Sequence, residues 1–228
     1  MKIILPFQFH GNNDPRGGKM KRLCLIQLLV VVLVSVFLFS DVQAMGLGAY
    51  YTFGSGSGTW TINADDEDEI DMDSDDSATG FGFVFDTTLA KDMLFNYRLG
   101  LGVEKKEYEF ENDVTLKMDN FVFDNDFGFG VFRTPSIRFW LGPELKIAYG
   151  TGDADDLDYS VVSVGVGGVL GLNFNIGEHI TLGVKSGYLL EYTAGYGEDE
   201  NDDSVDHTGQ DDLFYVNFAI MYRFNDTF

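Results

Sequence analysis

The chain has 228 residues, with 27 glycines, 21 phenylalanines, only four prolines and a formal net charge of -22. That length holds one domain and a leader. Acidity on this scale argues against a nucleic-acid-binding role, which needs a basic surface, and against direct contact with anionic lipid headgroups.

Residues 1–19 read as an N-terminal extension or an overcalled start, because Met20-Lys21-Arg22 makes a better beginning. Leu23 to Phe39 is apolar apart from Gln27 and Ser35, and Val42-Gln43-Ala44 sets small residues three before and one before a cut. This is the layout of a secretory signal peptide over residues 20–44, cleaved after Ala44. The apolar run is short for a spanning helix, which needs about 20 residues. Cleavage removes five basic and two acidic residues, taking the net charge from -22 to -25. It also removes Cys24, the only cysteine, so the remainder has no disulfide, thiolate metal site or cysteine nucleophile.

From residue 45 onward the chain alternates. The first strand is expected over Gly46 to Trp60, with Leu47, Ala49, Tyr51 and Phe53 on one face. An acidic loop follows, Asp65 to Asp76, in which nine of twelve residues are Asp or Glu. The second strand, Thr79 to Leu89, sets Phe81, Phe83 and Phe85 against Gly82, Val84 and Asp86; Ala90-Lys91-Asp92 is a tight turn. The third sets Phe95, Tyr97, Leu99, Leu101 and Val103 against Asn96, Arg98, Gly100, Gly102 and Glu104, and ends at a polar tip near Glu111 to Asp113. The fourth sets Phe121, Phe123, Phe127, Phe129 and Val131 against Asp124, Asp126, Gly128 and Gly130; Asn125 interrupts its apolar face.

After a turn at Arg133 to Ser136, the fifth strand sets Ile137, Phe139, Leu141, Leu145, Ile147 and Tyr149 against Arg138, Trp140, Gly142, Glu144 and Lys146. Pro143 in its middle predicts a bulge. Asp153, Asp155, Asp156 and Asp158 form a second acidic loop. The sixth strand sets Val162, Val164, Val166, Leu170, Leu172 and Phe174 against serine, glycine and asparagine, and turns at Asn175 to His179. The seventh sets Ile180, Leu182, Val184, Tyr188, Leu190 and Tyr192 against Thr181, Gly183, Lys185, Gly187 and Glu191. A third acidic loop, Glu198 to Asp212, holds eight acids. The eighth strand then runs to the end, with Phe214, Val216, Phe218, Ile220, Tyr222 and Phe224 on one face and Arg223 on the other.

Eight long strands joined alternately by short turns and charged loops predict an all-β, eight-stranded antiparallel up-and-down transmembrane β-barrel. A soluble sandwich fits less well, since soluble strands average about 5–6 residues and the second face here is not a uniform water face. It mixes glycines with charges of both signs: Asp86, Arg98, Glu104, Asp124, Asp126, Arg138, Glu144, Lys146, Lys185, Glu191 and Arg223. Inside an eight-stranded barrel small residues relieve crowding and unlike charges must pair. Closure also leaves no unpaired strand edge in hydrocarbon.

In this layout, and in Phe228 with Phe224 and Tyr222 at the chain end, residues 45–228 resemble the small eight-stranded outer-membrane barrels. That is the family of the outer-membrane protein A transmembrane domain and its opacity-type and virulence-related relatives. Asp226 departs from the family's terminal pattern. The resemblance implies a monomer in a bacterial outer membrane, with membrane lipid, lipopolysaccharide and the barrel assembly machinery as partners.

Function is less marked. Asp71, Asp73 and Asp75 alternate as calcium ligands do, but the sixth and twelfth positions of an EF-hand are here Asp76 and Gly82, so only loosely bound divalent cations are expected. His207, beside Asp206 and near Ser204, Asp211 and Asp212, is the only residue that could support a hydrolase at the rim; a lone histidine among acids is expected to be solvated instead. His179 lies at the opposite end. No catalytic residue and no cofactor is expected. The preferred role is non-enzymatic, at the cell surface, through acidic extracellular loops and an unidentified surface ligand. The alternative is a narrow channel or small-molecule carrier, which should show an apolar pocket in its lumen.

Overall fold

The computed structural model describes residues 46–63, 70–87, 94–110, 114–154, 157–198 and 204–224. The leader, its cleavage site, the turn at Ala90 to Asp92 and the chain end at Asp226 and Phe228 lie outside them.

The strands are β1 Gly46–Asn63, β2 Ile70–Asp86, β3 Phe95–Phe110, β4 Thr115–Arg133, β5 Ile137–Ala154, β6 Leu157–Ile176, β7 Ile180–Glu198 and β8 Ser204–Arg223. Each pairs antiparallel with its neighbours, and β8 pairs with β1 to close the ring. The register shows how the ring closes. Tyr50 pairs with Gly82, then Gly102, Val122, Ala148, Ser163, Thr193 and Gly209 follow in turn, and Gly209 pairs with Trp60. One circuit therefore climbs β1 from Tyr50 to Trp60, ten residues. For eight strands that stagger fixes a tilt of about 40°.

At that tilt an 18-residue strand such as β1 stands about 45 Å tall, more than a bilayer needs. The outer wall shows where the bilayer ends. On β6 the apolar belt runs from Val162 to Phe174, about 30 Å along the axis. Its upper edge follows the hydrogen-bonded row Phe81, Val103, Phe121, Tyr149, Val162. Two residues further up the same faces stand Thr79, Lys105, Asp119 and Thr151, all exposed. Phe83, within the belt, is 68% exposed although it is fully apolar. A surface of this kind is stable only against lipid.

The structure corrects the expected loops. Asp71 to Asp76 lie on β2 and Asp206 to Asp212 on β8. Alternation persists past the belt, so strand pairing continues into water as a collar above the membrane. There the outward positions become acidic while the inward ones remain packed. Pro143 makes no bulge. The β4–β5 ladder skips from Asp126–Glu144 to Phe129–Leu141 without losing register, and the shift occurs instead between Gly130 and Phe132. Pro143 removes only its own ladder bond, whereas Val131 is one residue too many for the opposite strand. Asn125 also acquires an explanation: it accepts from the Tyr97 hydroxyl at 2.6 Å and donates to the Leu145 carbonyl at 3.3 Å, so its amide is satisfied on the apolar face.

Candidate functional site

The interior is filled in three layers, and all eleven charges assigned to it face inward. At the lower, short-turn end, Arg98, Arg138, Arg223 and Asp86 are buried. Arg98 donates to Asn217 at 3.4 Å, Arg138 to Asn96 at 3.4 Å, and Arg223 to the Gly177 carbonyl. Gly177 takes φ 58°, which lets β6 turn into β7.

In the middle layer, Lys185 of β7 reaches across to β4 and β5. Its ammonium lies 3.0 Å from Asp126, 3.3 Å from Glu144 and in direct contact with Asp124. Glu144 also accepts from the Tyr215 hydroxyl of β8. Lys146 of β5 holds Glu104 of β3 at 2.8 Å and Glu191 of β7 at 2.9 Å. A lone charge taken from water into this interior would cost several kcal/mol, on the order of its lost hydration. Giving each ammonium two or three carboxylates offsets that cost.

The network continues above the residues expected to form it. Lys106 of β3 holds Glu191 at 2.7 Å, Asp211 of β8 at 3.2 Å and Asp76 of β2 at 3.8 Å. Ser74 donates to Asp76 at 2.9 Å. Lys106, Asp76 and Asp211 share inward parity with Glu104, Ala78 and Leu213, so alternation carried two to four residues further would have found them. Higher still is an apolar cluster of Trp60, Tyr108, Phe110, Leu116, Met118 and Val161.

His207 belongs to that upper layer, not to a solvated loop. It is 2% exposed, stacked on Trp60 at 5.2 Å and edge-on to Tyr159 at 5.2 Å. Its strand extends beyond the bilayer and its parity points inward, so the imidazole packs in the plug, away from any substrate at the rim. His179 is exposed in the opposite turn, stacked on Tyr222 at 5.3 Å.

Asp71, Asp73 and Asp75 form an outward row along β2, not a ring about a point. Thr61 donates to Asp71 at 2.7 Å and Thr59 to Asp73 at 3.1 Å. Among the described residues the carboxylates that do converge are Asp124, Asp126 and Glu144, with ligand atoms within 4.8 Å of one another. The Lys185 ammonium takes the place a cation would have. A cavity of about 30 Å³ beside them, lined by Tyr50, Thr52, Glu104, Asp124, Lys146 and Tyr215 among others, has room for about one or two waters. The hydroxyl–carboxylate contacts of the lumen, Ser74 to Asp76 and Tyr215 to Glu144, sit within these ion pairs. The lumen's groups are arranged to neutralise one another and to brace strands across the ring.

No protein-family model matches the chain, and no curated protein matches it in sequence. Solved structures do. The outer membrane protein OprG from Pseudomonas aeruginosa aligns with a TM-score of 0.59 at 13% identity, over 81% of this chain and 97% of that one. The outer membrane protein AlkL aligns at 0.48 and 11%, over 78% and 90%. Neisserial surface protein A aligns at 0.29 and 15%, over 75% and 97%. The OprG likeness, with the apolar belt and the closed ring, makes the fold that of a bacterial outer-membrane β-barrel.

Proposed function

We propose that this is a non-enzymatic barrel resident in a bacterial outer membrane, acting through the acidic collar above the belt while its lumen stays shut. The observation that carries the reading is the continuous brace from Asp76 through Lys106, Glu191 and Lys146 to Glu104, which joins strands on opposite sides of the ring. An eight-stranded barrel whose interior is spanned by ion pairs has little room for a conducting path.

The collar supports a surface role. Asp75 and Glu109 stand directly opposite one another, and Ser57 and Asp212 continue the same row. Facing carboxylates repel, and lipopolysaccharide brings phosphates of its own to such a surface. Divalent cations held loosely between them relieve both repulsions. The test is thermal unfolding of the barrel in vesicles containing lipopolysaccharide, with and without EDTA. The reading expects EDTA to lower the unfolding temperature, and to do so far less for the D71N/D73N/D75N variant. An equal response of both proteins, or none, removes it.

A conduit for small molecules is the second reading. The apolar cluster around Trp60 favours it, since an apolar lumen is what such a role requires. Uptake of an apolar solute by vesicles containing the barrel, unchanged when the lower ion pairs are removed, would replace the first reading with this one.

A further inference from the structure

Carboxylates outnumber cations in the ion-paired part of the lumen. Lys106 meets Asp76, Asp211 and Glu191, and Lys146 meets Glu191 and Glu104. Lys185 meets Asp124, Asp126 and Glu144. Arg98, just below, stands opposite Asp126 as well as Asp86. Among the described residues, seven carboxylates therefore share three ammoniums and the Arg98 guanidinium. The ammoniums are neutralised more than once over, and the carboxylates are left in excess. Buried charge in excess needs a counter-charge, because little water reaches it.

The cavity of about 30 Å³ lies where these sets meet. It is lined by Glu104 from the Lys146 set and by Asp124 and Glu144 from the Lys185 set. Asp124 Oδ1 is buried and has no hydrogen-bond partner. Tyr50 of β1 lines the same cavity and is 8% exposed. Its hydroxyl makes no hydrogen bond among the described residues, although a buried phenol usually finds a partner. Tyr50 lies across β3. A Cβ on Gly102 would collide with its hydroxyl, and one on Gly100 would sit 3.5 Å from both its ring and the Asp124 carboxylate. The phenol and the carboxylate thus meet over neighbouring glycines. β1 itself contains no charged residue, so no ion pair ties this closing strand to the others.

We propose that the cavity binds a sodium ion, held by Asp124 Oδ1 and the Tyr50 hydroxyl, which joins β1 to the ion-paired strands. Glu104 and Glu144 supply the further negative charge. Space for about one or two waters admits one small ion. It leaves no room for the water shell that magnesium keeps, nor for the roughly 6–8 oxygens that calcium takes. The Lys146 ammonium, on the same wall, also opposes a double charge. This site lies inside the ring and is independent of the collar.

The test is thermal unfolding of the protein refolded in non-ionic detergent with EDTA, in sodium chloride or in choline chloride at equal ionic strength. Equilibrium dialysis with radioactive sodium counts the bound ion. The expected result is saturable sodium binding and a higher unfolding temperature in sodium than in choline. Tyr50→Phe removes one hydroxyl and keeps the ring. It should raise the half-saturating sodium concentration about tenfold, the scale of one polar contact to a charge. Asp124→Asn should abolish binding; if it fails to fold, Tyr50→Phe decides alone. Heat-modifiable gel mobility shows that each variant is folded. The D71N/D73N/D75N variant should keep the full sodium response, which separates this site from the collar. Equal unfolding temperatures in sodium and choline, or wild-type binding in Tyr50→Phe, overturns the proposal. So does a stability that rises on acidification and ignores sodium, which would give the excess charge to protons.

Discussion

The Lys106 ammonium on β3 lies 2.7 Å from the Glu191 carboxylate on β7, and those two strands stand four apart in a ring of eight. The pair therefore spans the diameter of the barrel. Replacing Lys106 by Met leaves Glu191, Asp211 and Asp76 with one cation fewer. The expected loss is about 3–5 kcal/mol of stability, the usual cost of removing one partner of a buried pair. Urea unfolding in detergent, read by the heat-modifiable gel shift, measures it. Adding Asp211→Leu should recover part of the loss, because it removes a carboxylate that Lys106 no longer neutralises.

The proposed function has the upper plug and the ion pairs each closing the lumen. Trp60 is 2% exposed and packs edge-on to Tyr108 at 4.7 Å. Trp60→Ala should cost about 3–5 kcal/mol through the cavity it leaves, yet planar-bilayer recordings should still show no steady conductance. A Trp60→Ala barrel that conducts would mean that the charges below do not close the path.

The belt and the collar differ in solvent, and the same substitution separates them. Leu170, outward in the middle of β6 and 52% exposed, should cost about 2–4 kcal/mol when changed to Arg, as arginine at the bilayer midplane does. Ser57 faces outward on β1 above the belt, and Ser57→Arg should stay within about 0.5 kcal/mol. Refolding equilibria in lipid vesicles compare the two. Equal costs would mean that the belt has been drawn in the wrong place.

Much of this was legible in the residues. The period of two gave eight strands, their order and the inward parity of Asp124, Lys185 and their partners, because lipid selects apolar side chains at alternate positions over most of each strand. Most of what escaped had one cause. The acid-rich stretches around Asp71 and Asp206 look like loops by composition, and composition does not reveal that a strand can continue in water once its neighbours support it. Asp76, His207 and Asp211 were lost with that step, and Lys106 lies beyond the apolar stretch that marks the third strand. The bulge at Val131 was hidden differently: Pro143 advertised an irregularity that the ladder absorbed, while the extra residue was an ordinary valine.

Side chains of alternate residues facing lipid, with those between them packed in a closed core, can be tested most directly on β8. Removing the leader leaves no cysteine, so single cysteines can be placed one at a time at 213–221. Phe214, Phe218 and Ile220 are exposed on the belt, and Leu213, Ala219 and Met221 are buried within. In intact vesicles, cysteines at 214, 218 and 220 should react with a lipid-phase maleimide and resist a water-soluble one, while those at 213, 219 and 221 resist both. Rapid reaction of the inward set with the water-soluble reagent, or of the outward set with it, would contradict the account.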